Sequence, residues 1–156
     1  MVKTLRFGSE PRPGERILVL RREKLELILR GRKKLEIRGT RLREGDVWLG
    51  CSSMIAGKAC IGPALAISTE REWASLRPEH LVLDATLPYK TTFGLPLRSV
   101  TRLRRGISYV HPRGAIGIVK FRREAINSSY QKNGHFVFCH VCVRDHVHDA
   151  LQMDCA

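Results

Sequence analysis

Apolar residues along this chain recur at two spacings. Ile17-Leu18-Val19-Leu20 is a short apolar run of strand length. Leu25, Ile28 and Leu29 then recur at helical spacing, with Leu27 beside them, and predict a helix. Gly31 follows the last cationic turn, where a left-handed C-cap has the least steric cost, and Arg30 suits the helix dipole. From Lys34 the period becomes two. Leu35 and Ile37 alternate with Lys34, Glu36 and Arg38, the pattern of a half-buried strand with Glu36 and Arg38 on its polar face. Glu44-Gly45-Asp46 reads as a turn and Val47-Trp48-Leu49-Gly50-Cys51 as the next strand. The run from Ala59 to Ile67 is broken by Gly62 and Pro63, which predicts an edge or a bulge.

Thr69 with Glu72 three residues later forms a capping box for a short helix through Trp73 and Leu76, which Pro78 should stop. Leu95, Leu97 and Val100 read as an alternating strand with Arg98 on its polar side. His111-Pro112-Arg113-Gly114 is a turn signal, and Ala115 to Phe121 reads as a closing strand. Many short strands, few helices and glycine at the corners predict an α+β fold, a small β-barrel flanked by short helices. Residues 1–15, with Pro11, Pro13 and Gly14, read as a loose lead-in. Residues 16–123 have the size of one small domain, and 124–156 read as an extension packed on it.

Charge changes the picture. The chain has 156 residues, a formal net charge of +13 and a pI near 10.2. Residues 1–123 hold 26 Lys/Arg against 11 Asp/Glu, whereas 124–156 hold two against four. Within 16–43 there are 11 basic and three acidic residues. Such a field attracts polyanions and weakens in salt, and a phosphate backbone is its natural partner because each neutralised phosphate releases counterions. No transmembrane run or signal-peptide core is visible, and the predicted helix lacks the aromatic anchors that a lipid surface would want. Five cysteines cannot all pair, so a reducing intracellular compartment, cytoplasm or nucleus, is expected.

The candidate chemistry lies where helix gives way to strand. Lys33, in the connecting turn, can lean over the face that carries Glu36 and Arg38. A carboxylate near two cations stays ionised and orients them, and an oriented Lys/Arg pair can hold a phosphate or polarise a carbonyl. An exposed strand with an ordinary surface ion pair would show the same pattern. For stacking on a base, Trp48 and Tyr109 are candidates, with core packing as the alternative for each. No P-loop, dinucleotide fingerprint or aromatic RNA-recognition motif is present. No cofactor is favoured. Cys139, Cys142, His146 and His148 could supply a zinc site, but the two cysteines lie in an apolar alternating run, 136–143, that reads as a strand.

The order of these elements resembles the ASCH domain, the activating-signal-cointegrator homology module of the PUA-like superfamily. Its signature is G-x-K-x-x-E-x-R, and Gly31, Lys33, Glu36 and Arg38 fill the four positions. Gly45-Asp46-Val47 opens a strand after the signature, and Tyr109-Val110-His111-Pro112-Arg113-Gly114-Ala115 also resembles such domains. The likeness covers roughly residues 16–123. It implies a PUA-like β-barrel with a cleft beside the first helix, handling RNA or a modified nucleotide. Lys33 and Arg38 would hold the phosphate or base edge, Glu36 would orient them, and Arg30, Arg32, Lys34 and Arg41 would meet flanking phosphates. Some members are ribonucleases or N4-acetylcytidine amidohydrolases. In a hydrolytic reading Lys33 and Glu36 would be catalytic, although Glu36 stands where the amidohydrolase branch carries Thr, and that branch's later Glu could be Glu70, Glu72 or Glu79. A third reading is a protein-interaction module that forms a homodimer through the 136–143 strand.

Overall fold

A computed structural model of the chain describes residues 10–123. Its first strand, β1 (Arg16–Val19), is the apolar run, and it enters the sheet by parallel pairing with β3 (Gly45–Cys51), Ile17 opposite Trp48. Between them lie α1 (Arg22–Leu29) and β2 (Leu35–Arg38). The chain turns tightly from β3 into β4 (Met54–Ile61), an antiparallel neighbour. β4 begins five residues before the expected Ala59. Gly62 and Pro63 then divide the apolar run, so that Leu65–Ile67 forms a separate strand, β5, which pairs with the first residues of β6.

The Thr69 capping box is present in full and starts α2 (Glu70–Ser75). Two backbone amides, those of Ser68 and Thr69, donate to Glu72 and hold its carboxyl below the usual range. Pro78 does not end the helical path. Leu76 closes α2 and also opens α3 (Arg77–His80), and proline is tolerated in that first turn because no amide is needed there.

β6 (Thr92–Ser108) is the long strand, and it is far longer than the alternation at Leu95, Leu97 and Val100 indicates. Its first residues pair with β2 on one edge and β5 on the other, and its remainder pairs with β4. β7 (Ile118–Lys120), shorter than the expected 115–121, closes antiparallel on β1. The sheet order is β2-β6-β4-β3-β1-β7, with β5 beside β6, and the mixed sheet curls into a half-barrel with a few short helices.

Both faces of the central strands are covered, which decides where the polar residues go. Leu18, Val47, Leu49, Ala59 and Leu95 pack with Leu25 and Ile28 of α1. The alternate positions Ile17, Trp48 and Ile55 pack on the other face with Tyr109, Val119 and Phe121 from the end of the domain. A third cluster joins Leu35 and Ile37 of β2 to Ile67 and Trp73. Among the described residues no helix is long and apolar enough to cross a membrane. Residues 136–143 and the candidates Cys139, Cys142, His146 and His148 lie outside the described residues.

Candidate functional site

The signature begins as a helix stop. Arg30 is the C-cap of α1, and Gly31 follows at φ +70°, a conformation open to glycine at little cost. The Gly31 amide donates to Ile28 O and the Arg32 amide to Leu27 O, the paired bonds of a Schellman motif. That reversal carries Lys33 inward, only 2% exposed.

Once inside, the Lys33 ammonium donates to two backbone carbonyls and faces a carboxylate. Nζ donates to Leu35 O at 2.8 Å and to His80 O at 2.6 Å, and Glu36 Oε2 stands 3.5 Å away. Burial pushes the Lys33 pKa down, and the Glu36 carboxylate opposes that shift. Glu36 is 2% exposed as well. Its Oε1 lies 3.1 Å from Arg38 Nε, so the carboxylate sits between two cations. Glu36 Oε2 and Arg38 Nε reach ion-pair distance without a well-directed hydrogen bond. Arg38 is the outermost member, its side chain 17% exposed. It donates through Nη1 to Ile116 O and through Nη2 to Val19 O, each at 2.7 Å.

The reading of Glu36 as part of a solvated strand face is therefore corrected. Alternation placed Glu36 opposite Leu35 and Ile37 as expected, but that face is enclosed, and the pair is a buried network rather than a surface ion pair. Isolated, either charge would be very costly to bury; together with two carbonyls they satisfy one another. Lys33, buried and bonded to two carbonyls, does not present its ammonium at the surface.

His80, not foreseen from the sequence, completes the enclosure. Its ring stacks on Trp73 with centroids 3.9 Å apart and planes 13° apart. Val82 N–H donates to Nδ1, which fixes the other nitrogen as the donor, and Nε2 bonds Trp73 O at 3.0 Å. Burial lowers the His80 pKa, the Trp73 carbonyl counteracts, and the Lys33 charge lowers it further. Sequence spacing gave no signal for His80, because its contribution to Lys33 is a backbone carbonyl.

The two stacking candidates are placed elsewhere. Trp48 and Tyr109 are fully buried in the second core. Trp48 Nε1 donates to Glu15 Oε2 at 2.7 Å, and the Tyr109 hydroxyl meets His111 Nδ1 at 3.0 Å. Trp48 is out of phase with Val47 and Leu49 as its position indicates, but the face it enters is another core, so neither ring offers a surface to a base.

The remaining cations are exposed. Arg30 pairs with Glu26 at 3.7 Å, and Arg102 of β6 meets the same Oε2 at 2.6 Å. Arg32, Lys34 and Arg41 are exposed and, among the described residues, have no side-chain ion pair or hydrogen bond. Arg41 lines a shallow concavity with Leu42, Arg43 and Glu44 after β2. Among the described residues no cluster of His, Cys, Asp and Glu is placed to hold a metal.

No family model matches the sequence, and no curated protein matches it by sequence. Solved structures do match. ASCH from Zymomonas mobilis superposes with a TM-score of 0.57 at 16% identity, covering 71% of this chain and 90% of that one. A serine-to-alanine mutant of that protein gives 0.58 at 14% identity, over 72% and 92% of the two chains. A tyrosine-to-phenylalanine mutant gives 0.56 at 15%, over 70% and 91%. With the curled mixed sheet and α1 leading into the G-x-K-x-x-E-x-R segment, the fold of this chain is that of an ASCH domain.

Proposed function

We propose that this domain binds RNA, or a modified nucleotide, at the α1–β2 connection and the loop after β2. Arg38 is the anchored cation, and Arg30, Arg32, Lys34 and Arg41 contact flanking phosphates. Lys33 and Glu36 are positioning residues, which hold Arg38 at the edge of the enclosure. The observation that carries the reading is the contrast in neutralisation: Glu36 is ion-paired to buried partners, while Arg32, Lys34 and Arg41 stand exposed and, among the described residues, without a carboxylate. Cations in that state exchange small counterions for phosphate, which favours binding.

The test is fluorescence anisotropy of a labelled single-stranded RNA over a salt series. Affinity should fall steeply with salt, and Lys34→Ala should weaken binding across sequences while lowering the salt slope by about 0.7. Salt-independent binding, or no change in the Arg32→Ala/Lys34→Ala/Arg41→Ala protein, overturns the reading.

One observation favours hydrolysis as the second reading. Glu36 Oε2 is ion-paired to Lys33 at 3.5 Å but has no directed hydrogen bond, so it keeps acceptor capacity that a general base would use on a water. Incubation with RNA containing N4-acetylcytidine, read by mass spectrometry, decides between them. Strand cleavage or acetyl loss that disappears in Glu36→Gln while binding persists would establish the enzyme. Unchanged RNA leaves the binding module.

A further inference from the structure

The second half of β6 carries charge that the signature does not explain. From residue 85 to residue 123 the chain has nine Lys/Arg and no Asp/Glu. Four of the nine, Arg98, Arg102, Arg104 and Arg105, are exposed on β6. Among the described residues, β6 is paired along this stretch on one edge, by β4, because β2 and β5 reach no further than its first residues.

The arginines are displayed on a built feature. Ile55 of β4 faces Ile107, and Gly57 faces Arg102, so the single residue Ala56 stands opposite Leu103, Arg104, Arg105 and Gly106. A bulge of this size gives up ladder hydrogen bonds and re-aims the side chains it carries. Both of its ends are held. Leu103 packs, partly buried, against the core of Ile17, Trp48, Ile55 and Tyr109. Ile107, where the strand returns to register opposite Ile55, packs partly buried on the same core. Between these anchors, Arg104 and Arg105 are adjacent, exposed and, among the described residues, without an ion pair or hydrogen bond.

The bulge is also joined to the signature region. Arg102 donates to Glu26 through both terminal nitrogens, at 2.6 and 3.4 Å, and Arg30 ion-pairs the same carboxylate at 3.7 Å. One carboxylate thus links the β6 arm to the C-terminal end of α1 and leaves the set net positive. Charged residues also guard unpaired strand edges against aggregation. Guarding, however, needs neither a pinned four-residue bulge nor the complete exclusion of acids over this length.

We propose that the β6 bulge is a second phosphate-binding platform, which takes the backbone of an RNA strand as it passes Arg30 from the signature region. The inference rests on the RNA-binding reading above and extends it to a longer footprint, with Arg104 and Arg105 as the new contacts.

Two labelled single-stranded RNAs, of about 4 and about 16 nucleotides, test it by anisotropy over a salt series. Arg104→Ala/Arg105→Ala should weaken the longer RNA, lower its salt slope by about 1.4, and leave the shorter one unchanged. An unchanged slope and affinity for the longer RNA overturn the platform and leave edge protection. Loss of binding to phosphatidylserine vesicles with RNA binding intact overturns RNA as the partner. The two readings fail separately. If Arg32→Ala/Lys34→Ala/Arg41→Ala keeps the longer RNA and Arg104→Ala/Arg105→Ala loses it, the platform stands and the signature-region reading falls. Both substituted arginines are exposed, so a thermal midpoint matching the parent protein confirms that the fold is intact.

Discussion

The β2 strand and the outer half of β6 both mix charged with apolar residues, yet they hold their charge in opposite ways. In β2, Glu36 is enclosed with Lys33, and every charge has an opposite charge or a carbonyl against it. In β6 the arginines point to solvent, with Glu26 as the carboxylate that reaches Arg102. The difference comes from what lies over each strand. The α3 turn delivers His80 O to Lys33, and the segment before β7 delivers Ile116 O to Arg38. Among the described residues, the outer half of β6 has no strand on its second edge. Buried charge is worth little as net stability but is expensive to break, whereas exposed charge is nearly neutral for stability and free to act on a partner.

The largest test of this contrast is Glu36→Ala, which leaves Lys33 charged and buried without its carboxylate. Urea denaturation should show a loss of about 3–5 kcal/mol. Replacing the pair together, as Lys33→Met/Glu36→Leu, should recover most of that loss, because two apolar groups carry no desolvation penalty. A double variant as unstable as Glu36→Ala would mean that the charges are required in themselves.

Acid provides the next test. The folded-state pKa of His80 is depressed, so the unfolded chain binds the extra proton more readily, and stability rises with pH wherever that difference operates. Stability contributed by neutral His80 is complete above the unfolded value of about 6.5 and is lost as pH falls below it. Denaturation midpoints between neutral and mildly acidic pH should decline in the parent protein and decline less in His80→Gln. Parallel curves for the two proteins would show that the ring does not titrate in this range.

The smallest effect is expected in β6. Arg102→Ala removes a pair in which both side chains are more than a third exposed, and should cost less than about 1 kcal/mol. A loss as large as that of Glu36→Ala would erase the distinction between the two regions.

Much of the architecture was legible. The helix stop at Gly31, the capping box at Thr69 and the period-two pattern of β2 are local, and local sterics and hydrogen bonds decide them. What escaped was non-local. Alternation says that Trp48 and Glu36 leave the first core, but not that each enters another enclosed space, because the covering residues come from positions 80 and 109–121. The length of β6 escaped for a related reason. Its register slips at Ser99, which takes φ +51°, and again at the bulge, so the apolar phase is broken while the pairing continues. Lys33, Glu36 and Arg38 do meet, as their spacing indicates, but the depth of their enclosure was not legible.

Arg38 also bears on how the chain can mature. Its guanidinium joins β1, through Val19 O, to the segment before β7, through Ile116 O, which lies 78 residues further along the chain. On the ribosome, β1 and β2 emerge early, yet neither the β7 edge of β1 nor the second carbonyl for Arg38 exists until the end of the domain has been made. A nascent chain halted before Ile116 exposes an open strand edge beside a half-satisfied guanidinium, a state prone to aggregate. The pairing of β1 with β7 is thus a long-range contact that synthesis makes available only at the end of the domain.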